Sequence, residues 1–167
     1  MNNENYLIEQ YTMEEKEHKK IADLLSESFL SDPAAIDEGA SILFSDKTIK
    51  LIFGSPTVKK NYFVRAVYKK TNEIVGFLGL IPRDFRIKKQ TYKFAIPAWL
   101  AVHHQHRRKG LAKMIGEKML EIAQKESFDG GFALFEPEQH DLLFAKFVEL
   151  SLSRKKQRKR IVSFLRT

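Results

Sequence analysis

The hydrophobic period of this chain changes twice, and the order of the changes limits the folds open to it. Ile21, Leu24, Leu25, Ser28 and Phe29 recur at helical spacing, and that run must stop before Pro33. Between residues 62 and 102 the period becomes two. β-Branched and aromatic residues crowd 62–68, 74–81, 85–88 and 92–102, with polar turns at 69–73 and 89–91. The helical period then returns: Leu111, Met114, Ile115, Lys118, Met119 and Ile122 mark one stripe over 111–125. Helices, then an antiparallel meander, then a long helix predict an α+β domain with one mixed, mostly antiparallel central sheet flanked by helices.

Local signals fill in the order. Residues 6–11 read as a short strand, and Thr12 with Glu15 reads as a capping box opening the first helix. Residues 34–53 predict one or two short helices carrying Ile42, Leu43, Ile49, Leu51, Ile52 and Phe53, ended at Gly54. Pro82 closes the second strand of the meander. Pro97 sits inside the last strand, where it cannot donate to a ladder, so a bulge or a free edge is expected there. Gly130-Gly131 leads into a fifth strand at 132–135, followed by a helix at 142–150 and a last strand at 161–165.

Composition excludes several classes. The 167 residues suit one domain, expected at 1–150, and 13 Phe, 5 Tyr and 1 Trp can fill its core. Without Cys there are no disulfides, thiolate metal sites, iron–sulfur clusters or Cys nucleophile. No apolar run approaches the roughly 20 residues of a membrane span, and the first residues lack the basic and apolar regions of a signal peptide. The cytoplasm is the simplest compartment. The net charge of +8 is concentrated in a basic tail at 151–167. Residues 154–160 and Arg166 hold seven of the 29 cations, leaving 22 against 21 anions elsewhere. That tail is a solvated end or a contact for anionic partners, and no base-reading motif accompanies it.

The segment richest in chemistry runs from Trp99 to Ala112. An apolar strand enters a loop with Arg107, Arg108, Lys109 and Gly110, and a helix starts at once. A helix's first turn offers unpartnered N–H groups and a favourable dipole for anions, and glycine lets backbone approach a ligand closely. On charge and spacing alone the segment is either a diphosphate site or a solvated basic loop. It is neither a P-loop nor a dinucleotide fingerprint.

Arg107-Arg108-Lys109-Gly110-Leu111-Ala112 resembles the Arg/Gln-x-x-Gly-x-Gly/Ala loop of the GNAT superfamily of N-acetyltransferases, and lies where that family has it, between the fourth strand and the third helix. In that family the loop binds the pyrophosphate of acyl-CoA, and the fourth strand splays from the fifth to admit the pantetheine arm. Pro97 is compatible with the bulge that opens those strands. A closer resemblance spans residues 6–126. Phe44-Ser45 through Gly54-Ser55-Pro56, Ile74-Val75-Gly76-Phe77, Ile81-Pro82 and Trp99-Leu100-Ala101-Val102-His103 are similar to the N-terminal, acyl-CoA-binding half of the glycylpeptide N-myristoyltransferase family. That family's other half supplies most of the peptide site and a chain-terminal carboxylate, and the remaining 41 residues do not resemble it.

The resemblance implies an acyl-CoA-dependent N-acyltransferase. Acetyl-CoA donating to a primary amine by direct transfer is the leading expectation. A longer acyl chain is the alternative, and a non-catalytic acyl-CoA-binding domain is a third. Leu100, Ala101, Val102, Arg107, Arg108, Lys109, Gly110, Leu111 and Ala112 would hold the cofactor, and the backbone N–H groups of Trp99 and Leu100 would polarise the thioester carbonyl. The phenol that many GNAT enzymes carry is replaced here by Phe144. Glu136 is the first choice as base, among Glu138, His140 and Asp141; His103, His104 and His106 precede the loop. Consecutive histidines in a loop seldom converge on one ion, so no metal is assigned. The acceptor is a small-molecule or peptide amine, and a homodimer could complete the sheet.

Overall fold

A computed structural model describes residues 4–39, 41–54 and 62–131. Its elements are β1 (Tyr6–Tyr11), α1 (His18–Leu30), α2 (Pro33–Glu38), α3 (Asp46–Phe53), β2 (Phe63–Tyr68), β3 (Glu73–Ile87), β4 (Gln90–Val102), α4 (Leu111–Lys125) and β5 (Gly130–Gly131). The strands lie in sequence order. Each is antiparallel to the next except β4 and β5, which are parallel. This is the α+β architecture that the periods predict.

β3 and β4 form one long hairpin rather than three separate strands. Pro82 does not end β3: it sits opposite Ala95, and Pro97 sits opposite Leu80. The physical reason is parity. The Leu80 N–H donates to Tyr62 O at 3.0 Å, on the β2 side. Even-numbered residues in this part of β3 therefore aim their nitrogens away from β4, and the pairs holding Pro82 and Pro97 are non-hydrogen-bonded ones. Neither proline removes a bond from the hairpin. Pro97 thus turns its nitrogen to the outer side of β4, and the bulge lies two residues further on.

The entry to α1 also differs from the expected Thr12 cap. A single 3₁₀ turn at Glu15–Glu17 precedes the helix, and the Glu17 carboxylate accepts the Glu14 N–H at 2.9 Å. Ser45 caps α3 by accepting the Thr48 N–H at 3.1 Å.

The alternation of the strands builds two cores, one on each face of the sheet. Tyr62, Val64, Ala66, Leu78 and Leu80 pack with Leu111, Ile115, Met119 and Ile122 of α4. On the other face, Phe63 and Phe77 pack with Ile21, Leu24 and Leu25 of α1 and Ile49 and Phe53 of α3. The α3 contact depends on Gly79, where a Cβ would lie 2.5 Å from Phe53 Cε1. β4 therefore runs between α1 and α4, and its C-terminal end delivers the chain to the loop before α4.

Candidate functional site

The end of β4 is built around a bulge. Phe77 faces Ala101 and Gly79 faces Ala98, so β4 carries one more residue than β3 across this step. Trp99 adopts φ 63°, a left-handed conformation usually left to glycine. Packing holds it there. Its ring lies edge-on to Phe44 at 4.8 Å and to Phe29 at 6.3 Å. The side chain of Trp99 serves the core, while the backbone of Trp99 and Leu100 has no partner in the β3 register. That is the division of labour needed if backbone N–H groups are to meet a carbonyl oxygen.

Beyond Val102 the chain makes a 3₁₀ turn at His104–His106 and enters the basic loop. Arg108 (φ 60°) and Gly110 (φ 77°) are both left-handed, which turns the chain sharply into α4. The N-cap residue, Gly110, has no side chain with which to cap α4, and the helix's first turn holds no acidic residue. The first helical bond is Met114 N–H to Gly110 O at 3.1 Å. By helix geometry the N–H groups of Leu111, Ala112 and Lys113 have no intrahelical carbonyl, and with exposed Arg108 they suit a phosphate. Leu111 is itself buried, so only its backbone is available to a ligand.

Arg107, expected from the sequence to contact a phosphate, makes a set of contacts within the protein. Its guanidinium reaches the C-terminal end of α1: Nη2 donates to Ser28 O at 2.5 Å and Ser31 Oγ at 3.0 Å, and Nη1 donates to Ser31 O at 3.0 Å. Nε donates to Val102 O at 3.2 Å. Four of its five N–H groups are thus committed. A cation beside terminal helix carbonyls is electrostatically favoured, so Arg107 fixes the loop to α1. Lys109 turns back to Gln105 O at 3.0 Å.

The three histidines take two different sets of partners. His106 Nδ1 lies 2.8 Å from Tyr6 Oη, and its ring packs against Tyr68 at 4.9 Å. Burial first, then the Lys109 charge, hold its pKa below the ordinary value of 6.5. His103 and His104 instead meet Glu27 of α1, at 3.2 and 3.1 Å. Glu27, Ser28 and Ser31 carry no local sequence signal for this role. They are joined to the loop only by the packing of α1 on the sheet.

Residues 2–132 match the family model of the myristoyl-CoA:protein N-myristoyltransferase N-terminal domain. The chain belongs to this family. Among relatives of this N-myristoyltransferase-type domain, the glycylpeptide N-tetradecanoyltransferase of Plasmodium falciparum (isolate 3D7) is 28% identical over 113 residues, which cover 68% of this chain and 27% of that protein. The Mycosarcoma maydis enzyme of the same name is 26% identical over 101 residues, covering 60% and 14%. The chain therefore spans less than a third of either relative. In fold, the domain is similar to Saccharomyces cerevisiae N-myristoyltransferase with bound myristoyl-CoA (TM-score 0.66, 19% identity, 80% of this chain and 32% of that one). It is also similar to an Enterococcus faecalis V583 protein described as a probable N-acyltransferase (TM-score 0.57, 14% identity, 78% and 30%).

Of the sequence-derived site residues, Trp99, Leu100, Ala101 and Val102 lie together at the end of β4, and Arg107 to Ala112 follow through the loop into α4. Ala101 is buried opposite Phe77. Glu136, the alternative groups Glu138, His140 and Asp141, Phe144 and the basic tail lie outside the described residues, as does the strand expected at 132–135. β5 is described at Gly130 and Gly131, which pair with Phe94 and Ala95. Among the described residues no helix is long and apolar enough to cross a membrane.

Proposed function

We propose that this domain binds a long-chain acyl-CoA and presents its thioester for transfer to a peptide amine. The observation that carries the proposal is the Trp99–Leu100 bulge, which leaves backbone without a partner in the β3 register one short loop before the glycine-capped N-terminus of α4. The two features divide the cofactor between them. Arg108 and the first-turn amides of α4 meet the phosphates, and the amides of Trp99 and Leu100 meet the thioester oxygen as it gains negative charge. Glu136 is proposed to take one proton from the substrate ammonium; the neutral amine then attacks, the C–S bond breaks as the amide forms, and the second nitrogen proton passes through water to the departing coenzyme A thiolate.

The sequence reading put acetyl-CoA first, with a longer acyl chain as the alternative. Membership of the N-myristoyltransferase family favours the longer chain, and the relatives named for glycylpeptides favour a peptide with an N-terminal glycine as acceptor. Calorimetric titration with coenzyme A, acetyl-CoA and myristoyl-CoA tests the first part. Myristoyl-CoA should bind at least about tenfold tighter than acetyl-CoA, since each buried CH₂ contributes about 0.8 kcal/mol. Equal affinity for the two returns the assignment to acetyl-CoA, and no heat with any of them removes the cofactor. Binding without transfer to a glycyl peptide leaves an acyl-CoA carrier rather than an enzyme.

A further inference from the structure

Glu27 is bracketed by two imidazoles in a geometry that the acyl-CoA reading does not use. Its Oε2 lies 3.2 Å from His103 Nε2 and its Oε1 lies 3.1 Å from His104 Nδ1. One ligand atom from each of the three residues falls within 4.8 Å of the others. Consecutive residues of a strand point to opposite faces, and two adjacent histidines would ordinarily diverge. Here β4 ends at Val102 and the 3₁₀ turn begins at His104, so the rings stack at 4.6 Å and 23° and both turn a nitrogen toward one carboxylate.

We propose that Glu27, His103 and His104 form a binding site for a divalent transition-metal ion of the zinc class. Two imidazoles and a carboxylate are a zinc donor set. With bonds of about 2.0–2.1 Å, neighbouring ligand atoms around a tetrahedral ion are separated by about 3.3 Å. The two contacts run to different carboxylate oxygens, and one ligand atom from each residue lies within 4.8 Å of the others, so the ion requires the carboxylate to turn and the two ring nitrogens to draw together. Glu27 and His104 also line an open surface depression of about 500 Å³ with Asp23, Ser26, Leu30 and Ser31, which leaves room for water as a fourth ligand. Asp23, one helical turn before Glu27, is paired with Lys19 at 3.0 Å and is a second carboxylate within the same depression.

Binding sets the tautomer of His103. Its Nδ1 accepts the Gln105 N–H at 3.3 Å, so in the metal-free protein the ring proton sits on Nε2. The ion takes the Nε2 lone pair, the proton moves to Nδ1, and the long Gln105 contact is given up. The ion would staple α1 to the segment entering the basic loop, beside the Arg107 contacts with Ser28 and Ser31. The site stands on these three residues alone and does not depend on the acyl-CoA assignment.

The test is a Co²⁺ titration of the tag-free, metal-stripped full chain, followed by Zn²⁺ displacement. The expected result is one ion per chain with the visible absorption of four-coordinate cobalt, lost on addition of Zn²⁺. Glu27→Gln and His104→Gln should each weaken binding at least about tenfold, while His18→Ala leaves it unchanged. Zn²⁺ should raise the melting temperature of the wild type but not of Glu27→Gln. Circular dichroism identifies any variant that fails to fold, and then the other ligand variant decides the question. No cobalt spectrum, or a spectrum retained in both ligand variants, overturns the proposal.

Discussion

Replacing Arg107 by Ala should destabilise the fold as well as alter the site. The substitution removes four hydrogen bonds, leaving the carbonyls of Ser28, Ser31 and Val102 and the Ser31 hydroxyl without this donor. Hydrogen bonds to a charged group contribute about 1.5–3 kcal/mol each when buried, but of these acceptors only Ser28 is buried; Ser31 and Val102 are half-buried and water recovers part of the loss there. The cation also interacts favourably with the C-terminal end of α1, by about 0.3–1 kcal/mol at a surface site. Together these give a loss of about 2–4 kcal/mol. For a chain of this size that lowers the melting temperature by roughly 5–15 °C. Arg107→Lys keeps the charge but loses the planar fork, so it should recover less than half of the loss. Thermal unfolding of the three proteins without cofactor is the assay. An Arg107→Ala protein that melts with the wild type and fails only in coenzyme A binding would refute the helix-clamp role and restore Arg107 as a phosphate ligand.

Further substitutions separate the remaining roles. Arg108→Ala should weaken coenzyme A binding by about five- to tenfold at low salt, less at high salt, with unchanged melting, because Arg108 is exposed and its contribution is electrostatic. Gly79→Ala should cost about 1–3 kcal/mol in denaturant unfolding, since the added Cβ meets a Phe53 ring held at 5.0 Å by Phe63 and 5.7 Å by Phe77. Trp99→Gly relieves a left-handed φ at a gain of about 1–2 kcal/mol but forfeits aromatic packing worth about 3–5 kcal/mol, so net destabilisation is expected. His106 has its pKa depressed, so its contribution to stability is present above pH 6.5 and is lost as pH falls through the folded value. Between pH 7.5 and about pH 5 the wild type should lose more stability than His106→Gln; parallel losses would contradict the burial argument.

Much of the fold was legible because period and spacing are local properties. The stripe from Leu111 to Ile122 placed α4 at its observed bounds, and the alternating residues of 62–102 placed the sheet. The prolines misled, since whether Pro82 ends a strand depends on which neighbour its nitrogen faces, and parity is set by pairing. The loop was legible as a motif, but the role of its first residue was not. Arg107 meets Ser28 and Ser31, 79 and 76 residues earlier in the chain, and only the packing of α1 brings them together. Glu27 was missed for the same reason. The bulge was expected from Pro97 and found at Trp99, because a left-handed tryptophan is stabilised by Phe29 and Phe44 rather than by its own sequence neighbours.

The central claim is that one ligand spans the β4 bulge and the start of α4. Amide chemical shifts of the ¹⁵N-labelled full chain, followed during titration with myristoyl-CoA, test it most directly. The account predicts large shifts at Trp99, Leu100, Val102 and Arg108 through Lys113, with coenzyme A alone reproducing only those from Arg108 onward. Shifts confined to other surfaces, or none at the Trp99–Leu100 amides with any acyl-CoA, would contradict it.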